Sequence, residues 1–228
     1  MATAGVAALM NNEVHPVMAK LLYVECSPRK TTSASIEVSR AFLDAYVVAN
    51  PRDEVETWDV WAKDLPEFGE DALNAKYAGL YGAGRTPEQD AAWARLGALA
   101  APFLAADKLL FATPLWNFSI PYRLKQLIDL ISQKDILFAF DESGFSGLLK
   151  AKKAAVIYAR GLDYAPSSAW TPGESYDFQK PYMQAWLQFA GVPEIHSIVV
   201  ERTLFGLEAE QQARAVAKAA AADLARRF

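Results

Sequence analysis

The sequence has few of the residues that bind metals or form covalent intermediates. Its 228 residues include one cysteine, Cys26, and two histidines, His15 and His196. An internal disulfide is therefore excluded, and the chain offers no set of ligands for a His/Cys metal site. Cys26 follows a predicted strand, where we expect it to pack as a small buried residue. A hydrolytic triad needs a histidine base, whereas His196 lies in a predicted strand and is expected to be structural.

Long hydrophobic runs and strong net charge are also absent. No apolar run approaches the roughly 18 residues that span a bilayer, and the formal net charge is −4. This charge gives no electrostatic reason to expect nucleic acid or a membrane surface as a partner. Residues 1–17 lack the basic start of a secretory signal, and Met18 begins a segment typical of a natural start. We therefore expect a cytoplasmic protein with a disordered extension at 1–17 and a single domain at 18–228.

What the sequence does contain is an alternation of short apolar runs with longer helical segments. The apolar runs predict strands at residues 21–24, 55–60, 108–112, 154–158 and 195–200, and a small hairpin at 136–149. Helical periodicity predicts helices at residues 35–48, 87–104, 121–131, 178–189 and 208–226, with an irregular stretch before Pro87. Nearly continuous apolar strands that alternate with helices indicate an α/β fold whose parallel sheet is covered on both faces.

The loop after the first strand has the composition of a phosphate site. In an open parallel sheet, ligands bind beyond the carboxyl ends of the strands, and Ser27, Ser33 and Ser35 lie there, just before a helix. Free amides and the helix dipole attract a phosphate at such a place, and the hydroxyls add donors. The alternative is plain helix capping by Ser33 or Ser35. Neither a G-x-G-x-x-G nor a Walker motif is present.

The loops after the third and fourth strands carry groups suited to a planar heterocycle. In the third-strand loop Asn117 stands between Trp116 and Phe118. Asparagine both donates and accepts hydrogen bonds, which matches the edge of a flavin or a base, and aromatic rings form a flat wall. In the fourth-strand loop Arg160 supplies positive charge and Gly161 permits close backbone approach. The alternatives are a packed loop that completes the core and an ordinary turn with a surface arginine.

Together the three loops resemble those of the bacterial FMN-dependent NADH-azoreductases, relatives of the eukaryotic NAD(P)H:quinone oxidoreductases. The resemblance extends over residues 20–224, and its most specific part is the segment 114–121. The hairpin also looks like that of the family. The resemblance implies a flavodoxin-like three-layer sandwich with a five-stranded parallel sheet of order 2-1-3-4-5. It also implies a homodimer with non-covalently bound FMN.

The resemblance further implies which residues bind FMN. The serine loop would hold the phosphate, and the other two loops would border the isoalloxazine ring. The residues are Ser27, Ser33, Ala34 and Ser35 for the phosphate, Pro114, Leu115, Trp116, Asn117 and Phe118 for the ring face, and Ala159, Arg160 and Gly161 for the pyrimidine end. The loop 163–177 looks longer than the usual form, and we expect Tyr164 and Phe138 to line the substrate pocket.

These observations predict an FMN-dependent NAD(P)H oxidoreductase that reduces quinones or azo compounds. The hypothesis is a ping-pong hydride transfer through the flavin, in which NADH or NADPH leaves before the acceptor binds. Because the flavin carries the chemistry, no side chain is expected to act as a catalytic acid or base. Amides near Asn117 and Phe118 and the charge of Arg160 would stabilise negative charge on the ring. The alternatives are a flavodoxin-like electron carrier or flavin-binding sensor without turnover, and a hydrolase.

Overall fold

The computed structural model describes residues 18–171 and 173–228, and the predicted extension at 1–17 lies outside the described residues. Short 3-10 turns occur at Lys30–Thr32 and Gly173–Tyr176. The strands and helices follow in the order β1 (Lys20–Glu25), α1 (Ala34–Ala49), β2 (Glu54–Asp59), α2 (Glu70–Tyr81), α3 (Pro87–Ala105), β3 (Lys108–Pro114), α4 (Tyr122–Ile131), β4 (Phe138–Asp141), β5 (Gly144–Gly147), β6 (Lys153–Ala159), α5 (Gln179–Phe189), β7 (Glu194–Val200) and α6 (Leu207–Ala225).

Five strands form one parallel sheet in the order β2-β1-β3-β6-β7. The predicted α/β fold with a five-stranded parallel sheet is confirmed. The strand numbers differ from the expected 2-1-3-4-5 because the hairpin strands β4 and β5 lie between the third and fourth sheet strands in sequence. They pair only with each other, antiparallel. The strand order reverses between β1 and β3, so the carboxyl ends of these two neighbours flank the position where ligands bind in such sheets.

The core consists of two apolar layers, one on each face of the sheet. Alternate residues of β1 point to opposite faces, so Leu22 and Val24 pack with α3, α4 and α5, whereas Leu21 and Tyr23 pack with α1 and α6. Burial on both faces explains why the strands have continuous apolar runs. None of the helices in the described ranges has the length and apolar content required to span a bilayer.

Helix α2 occupies part of the stretch that the sequence predicted to be irregular, so that prediction was wrong. The helix has a weak apolar pattern because it buries only Ala72 and Ala75. It ends at Gly82, whose φ of 66° places it in the left-handed region that commonly terminates helices. Helix α3 then begins at Pro87 as predicted, and a capping box between Thr86 and Gln89 fixes its first turn.

Asp53 links three elements at the amino ends of the strands. The hydroxyl of Tyr46 on α1 donates to its carboxylate, the backbone N–H of Ala19 donates to Oδ1 at 3.0 Å, and Lys108 Nζ on β3 lies 3.1 Å from Oδ2. Burial alone would raise the pKa of Asp53, but the hydrogen bonds from Tyr46, Ala19 and Lys108 outweigh it and hold this pKa below its ordinary value. The contact anchors α1, whose other end carries the serine loop.

We expect Asp53→Asn to lower the free energy of unfolding at neutral pH by about 1–3 kcal/mol, because it weakens charge-assisted hydrogen bonds. A carboxyl whose pKa is lowered by folding stabilises the fold above its unfolded pKa, and this stabilisation is lost as the pH falls through the folded value. In urea unfolding, the difference between wild type and variant should therefore shrink below about pH 4. A difference that stays constant into acid would contradict this account.

Candidate functional site

A cleft of about 180 Å³ lies at the carboxyl edge of the sheet. The loops after β1, β3, β6 and β7 and the first turns of α6 form its walls. Nine of the residues that the sequence predicted for the site line it: Ser27, Ser33, Ala34, Pro114, Leu115, Trp116, Ala159, Arg160 and Gly161. The three loops therefore meet, as expected from parallel strands whose carboxyl ends share one edge.

The serine loop presents an uncapped helix N-terminus to this cleft. Ser33 occupies the N-cap position of α1, but its side chain makes no capping hydrogen bond to the described part of the helix. Its hydroxyl instead lies 3.1 Å from the hydroxyl of Ser35, and both side chains are buried. Plain capping by these serines is thus not what the structure contains. Ser27, Ser33 and Ala34 line the cleft, so it lies at the first turn of α1, whose amides have no intrahelical acceptors.

The segment after β3 forms a tight turn with an unusual backbone. Trp116 and Ser119 exchange backbone hydrogen bonds of 2.9 and 3.0 Å. Between them Asn117 has φ 46° and Phe118 has φ 73°, so both lie in the left-handed region, as in a type I′ turn. Asparagine tolerates this region, whereas an aromatic residue rarely adopts it. In the part of the chain that the structure describes, the N–H groups of Asn117 and Phe118 donate to no protein acceptor.

Trp116 also borders a second cavity of about 380 Å³ on the other side of the turn. Asn117, Tyr122, Lys125 and Tyr182 contribute to its wall. Three of the seven residues that line it are aromatic, and the Trp116 and Tyr122 rings lie 6.4 Å apart. Trp116 is therefore shared by the cleft and by a cavity with three aromatic residues in its wall.

Arg160 does not direct its charge at the cleft, which corrects the role expected from the sequence. The side chain is only 4% exposed. Its guanidinium donates to Asp177 at 2.6 Å, to Glu201 at 3.1 Å and to Gln179 at 3.2 Å. Two carboxylates thus balance the charge that was predicted to act on the ring. Arg160 still borders the cleft, and its carbonyl accepts a hydrogen bond from Thr203 at 3.1 Å.

Neither residue predicted for the substrate pocket lines either cavity. Tyr164 is 6% exposed, and its ring packs over the guanidinium of Arg160, 5.4 Å from the ring centre. Its ring therefore covers the ion pair between Arg160 and Asp177. Phe138 lies in the hairpin, where its ring packs against Phe145 at 5.6 Å and Phe189 at 4.9 Å. Phe189 is the last residue of α5, whereas Arg160 binds Gln179, the first residue of that helix. Phe138 therefore lies at the opposite end of α5 from Arg160.

Four residues near the cleft were missed by the sequence interpretation. Thr203, Leu204 and Arg214 line it from the segment after β7 and from α6, and the Trp61 ring lies 5.8 Å from that of Trp116. The strand-order rule favoured the loops after the first, third and fourth strands. A weaker signal could have found the missed loops. The carboxyl ends of all five parallel strands lie at the same edge, so the loops after the second and fifth strands were also candidates.

Cys26 is fully buried at the end of β1 as expected. Burial raises the pKa of its thiol well above the ordinary value, so it is protonated at neutral pH and is not a nucleophile. Within the described residues, no group of three or more histidine, cysteine, aspartate or glutamate side chains could hold a metal ion.

Comparisons with known proteins agree with this geometry. A family model described as flavodoxin-like fold matches residues 19–224. FMN-dependent NADH:quinone oxidoreductase 9 of Burkholderia lata is 59% identical over 83% of this chain and 90% of its own. The azoreductase of Bacillus anthracis str. Sterne superposes with a TM-score of 0.82 at 29% identity, covering 92% and 100% of the two chains. An FMN-dependent NADH-azoreductase of Bacillus anthracis str. Ames Ancestor, in complex with FMN, gives 0.76 at 27% identity and covers 91% and 100%.

Because Asn117 lies in the left-handed region, glycine should be more stable than valine at this position, which is the reverse of the order expected inside a helix. Asn117→Gly should be neutral or slightly stabilising, whereas Asn117→Val should cost about 1–3 kcal/mol, because a β-branched residue is strained at positive φ. The matched control is Asn74, an exposed residue inside α2, where glycine should be less stable than valine. Urea unfolding of the four variants tests this. The same order at both positions would contradict the turn.

Proposed function

The chain belongs to the flavodoxin-like fold family, and on that basis we propose that it is an FMN-dependent NADH:quinone oxidoreductase. Relatives that carry this name, up to 59% identical, support the predicted enzyme over an electron carrier or sensor without turnover. One structural observation carries the proposal. An uncapped helix N-terminus with buried serine hydroxyls lies in the same cleft as Trp116, next to a turn with two free amides.

The residues present at the start of α1 fit the phosphate of FMN. A phosphate dianion needs several donors, and the amides of the first helical turn together with the hydroxyls of Ser27, Ser33 and Ser35 provide them. Arg29 also lines the cleft and adds positive charge. Arg214 lines it too, but its guanidinium is paired with Glu37 and Glu210. The net charge of −4 would not attract an anion, so the attraction must come from these local groups. We assign phosphate binding to Ser27, Ser33, Ser35 and the amide of Ala34.

The two other loops fit a flat ring that extends from that phosphate. Leu115 N–H donates to the carbonyl of Ala159 at 2.8 Å, which places the third-strand and fourth-strand loops side by side. The free amides of Asn117 and Phe118 would donate to the polar edge of the ring, and Trp116 would flank it. We also assign Pro114, Leu115, Arg160 and Gly161 to this contact; the part played by Arg160 is its main chain.

Bound FMN would take a hydride from NADH and pass it to a quinone or azo acceptor. The chain's own contribution is to bind and orient, because the flavin would carry the chemistry. We propose that the flat acceptor uses the aromatic wall formed by Trp116, Tyr122 and Tyr182. The homodimer, the cytoplasmic location and the single domain over residues 18–228 stay predictions.

The function is tested by an anaerobic visible spectrum of the protein reconstituted with FMN. We expect NADH to bleach the flavin band and benzoquinone to restore it, because each half-reaction changes the oxidation state of the bound ring. Flavin binding without bleaching would favour the electron carrier. No flavin binding would contradict the whole assignment.

Ser33→Asp tests the phosphate site without weakening the helix. Aspartate is a good N-cap residue, so the thermal midpoint of the apo-protein should stay equal or rise. The new carboxylate should repel the phosphate and raise the Kd for FMN at least about tenfold. Riboflavin lacks the phosphate and serves as the control, with its Kd expected to change by less than about twofold. An equal loss of affinity for both ligands would mean that the phosphate does not bind at Ser33.

A further inference from the structure

The buried guanidinium of Arg160 has more partners than charge balance requires. One carboxylate would neutralise it, yet it binds Asp177, Glu201 and Gln179 and lies beneath the Tyr164 ring. The side chains of Arg160 and Asp177 are only 3% and 12% exposed, and removing this charged pair from water costs free energy that apolar residues would not cost. Such a network is therefore weak evidence for stability, and a positioning role is the alternative.

Asp177 and Gln179 connect Arg160 to the start of α5 and to the end of β3. Asp177 uses Oδ2 for Arg160, and its Oδ1 accepts from the backbone N–H groups of Gln179 at 3.1 Å and Lys180 at 3.0 Å. The Gln179 amide accepts from Arg160 and donates to the carbonyl of Thr113 at 3.2 Å. One guanidinium thus fixes residues 177–180 against the strand that leads into the turn.

The same short segment contacts the turn itself. The backbone N–H of Phe178 donates to the carbonyl of Phe118 at 2.9 Å, and the Tyr176 ring packs edge-on against the Phe118 ring at 5.0 Å. Phe118 is the aromatic residue held at φ 73°. A conformation of this kind persists only when surrounding contacts impose it, and the segment 176–178 provides two such contacts.

We propose that Arg160 and Asp177 are positioning residues that hold the Asn117–Phe118 turn and Tyr176 in place through Phe178. The proposal rests on the proposed function, in which this turn borders the flavin and its acceptor. Phe118 and Tyr176 do not line the cavity proposed for the acceptor, but Phe118 follows Asn117, which does. Their rings are 43% and 41% exposed, so they could extend the aromatic surface that an incoming quinone meets. The long loop at 163–177 thereby acts on acceptor binding through the backbone of the turn. Tyr164, which belongs to the same loop, covers the Arg160 guanidinium with its ring.

Two isosteric variants separate positioning from charge balance. Asp177→Asn and Glu201→Gln each remove one carboxylate that pairs with Arg160. Only Asp177 is also connected to the turn, through the neighbouring Phe178. Asparagine can still cap α5, so the helix start is kept. The first readout is amide hydrogen exchange of the FMN-free protein in peptides that cover residues 114–121 and 176–180. We expect exchange about tenfold faster in Asp177→Asn and less than about twofold faster in Glu201→Gln. Equal exchange in both variants would overturn the proposal.

The second readout is the kinetics of the FMN-loaded enzyme with benzoquinone. We expect Asp177→Asn to raise the KM for the quinone about tenfold, with kcat and the Kd for FMN within about threefold, because the serine loop lies outside this chain of contacts. Glu201→Gln should leave the quinone KM unchanged. Lower thermal midpoints in both variants with no difference in KM would mean a purely structural role. If the wild type oxidises no NADH, the proposed function fails, and the exchange comparison still decides this proposal.

Discussion

Parallel pairing of β1, β3 and β6 is the constraint on which the site depends. Glu25 pairs with Ala112, and Pro114 pairs with Ala159, so the three strands end at the same edge. Because the chain crosses to the other side of β1 after β2, the covering helices diverge there and leave a cleft. Residues far apart in sequence therefore meet without any direct link between their loops. The apolar runs that bury the strands are thus also what assembles the serine loop and the turn.

In the proposed function, local geometry attracts an anion to the cleft, and the buried Arg160 has a different role. The start of α1 would supply backbone donors at the cleft, and the adjoining turn would add the N–H groups of Asn117 and Phe118, which have no acceptor among the described residues. Arg160, in contrast, forms ion pairs with Asp177 and Glu201. We propose that backbone donors contact the ligand and that the ion pairs of Arg160 behind them hold the turn in place.

Much of this fold could be predicted because its signals are local. Continuous apolar runs identify buried strands, and Pro87 marks the start of a helix, so the parallel sheet followed from the sequence. Helix α2 was missed because its buried face consists of two alanines, Ala72 and Ala75. The role of Arg160 was also missed, because its partners lie 17 and 41 residues away and periodicity says nothing about such pairs. The left-handed Phe118 gave no signal, since its conformation is imposed by contacts from another loop.

The central claim, that the carboxyl edge of the sheet binds FMN, is tested most directly by a crystal structure of the chain with FMN. The account predicts the phosphate at hydrogen-bond distance, about 3 Å, from Ser33 and the first amides of α1. It places the ring beside the turn between Trp116 and Ser119. A flavin bound elsewhere, such as the cavity of about 300 Å³ that Pro66 and Leu96 help to line, would contradict it. So would a phosphate that points away from α1.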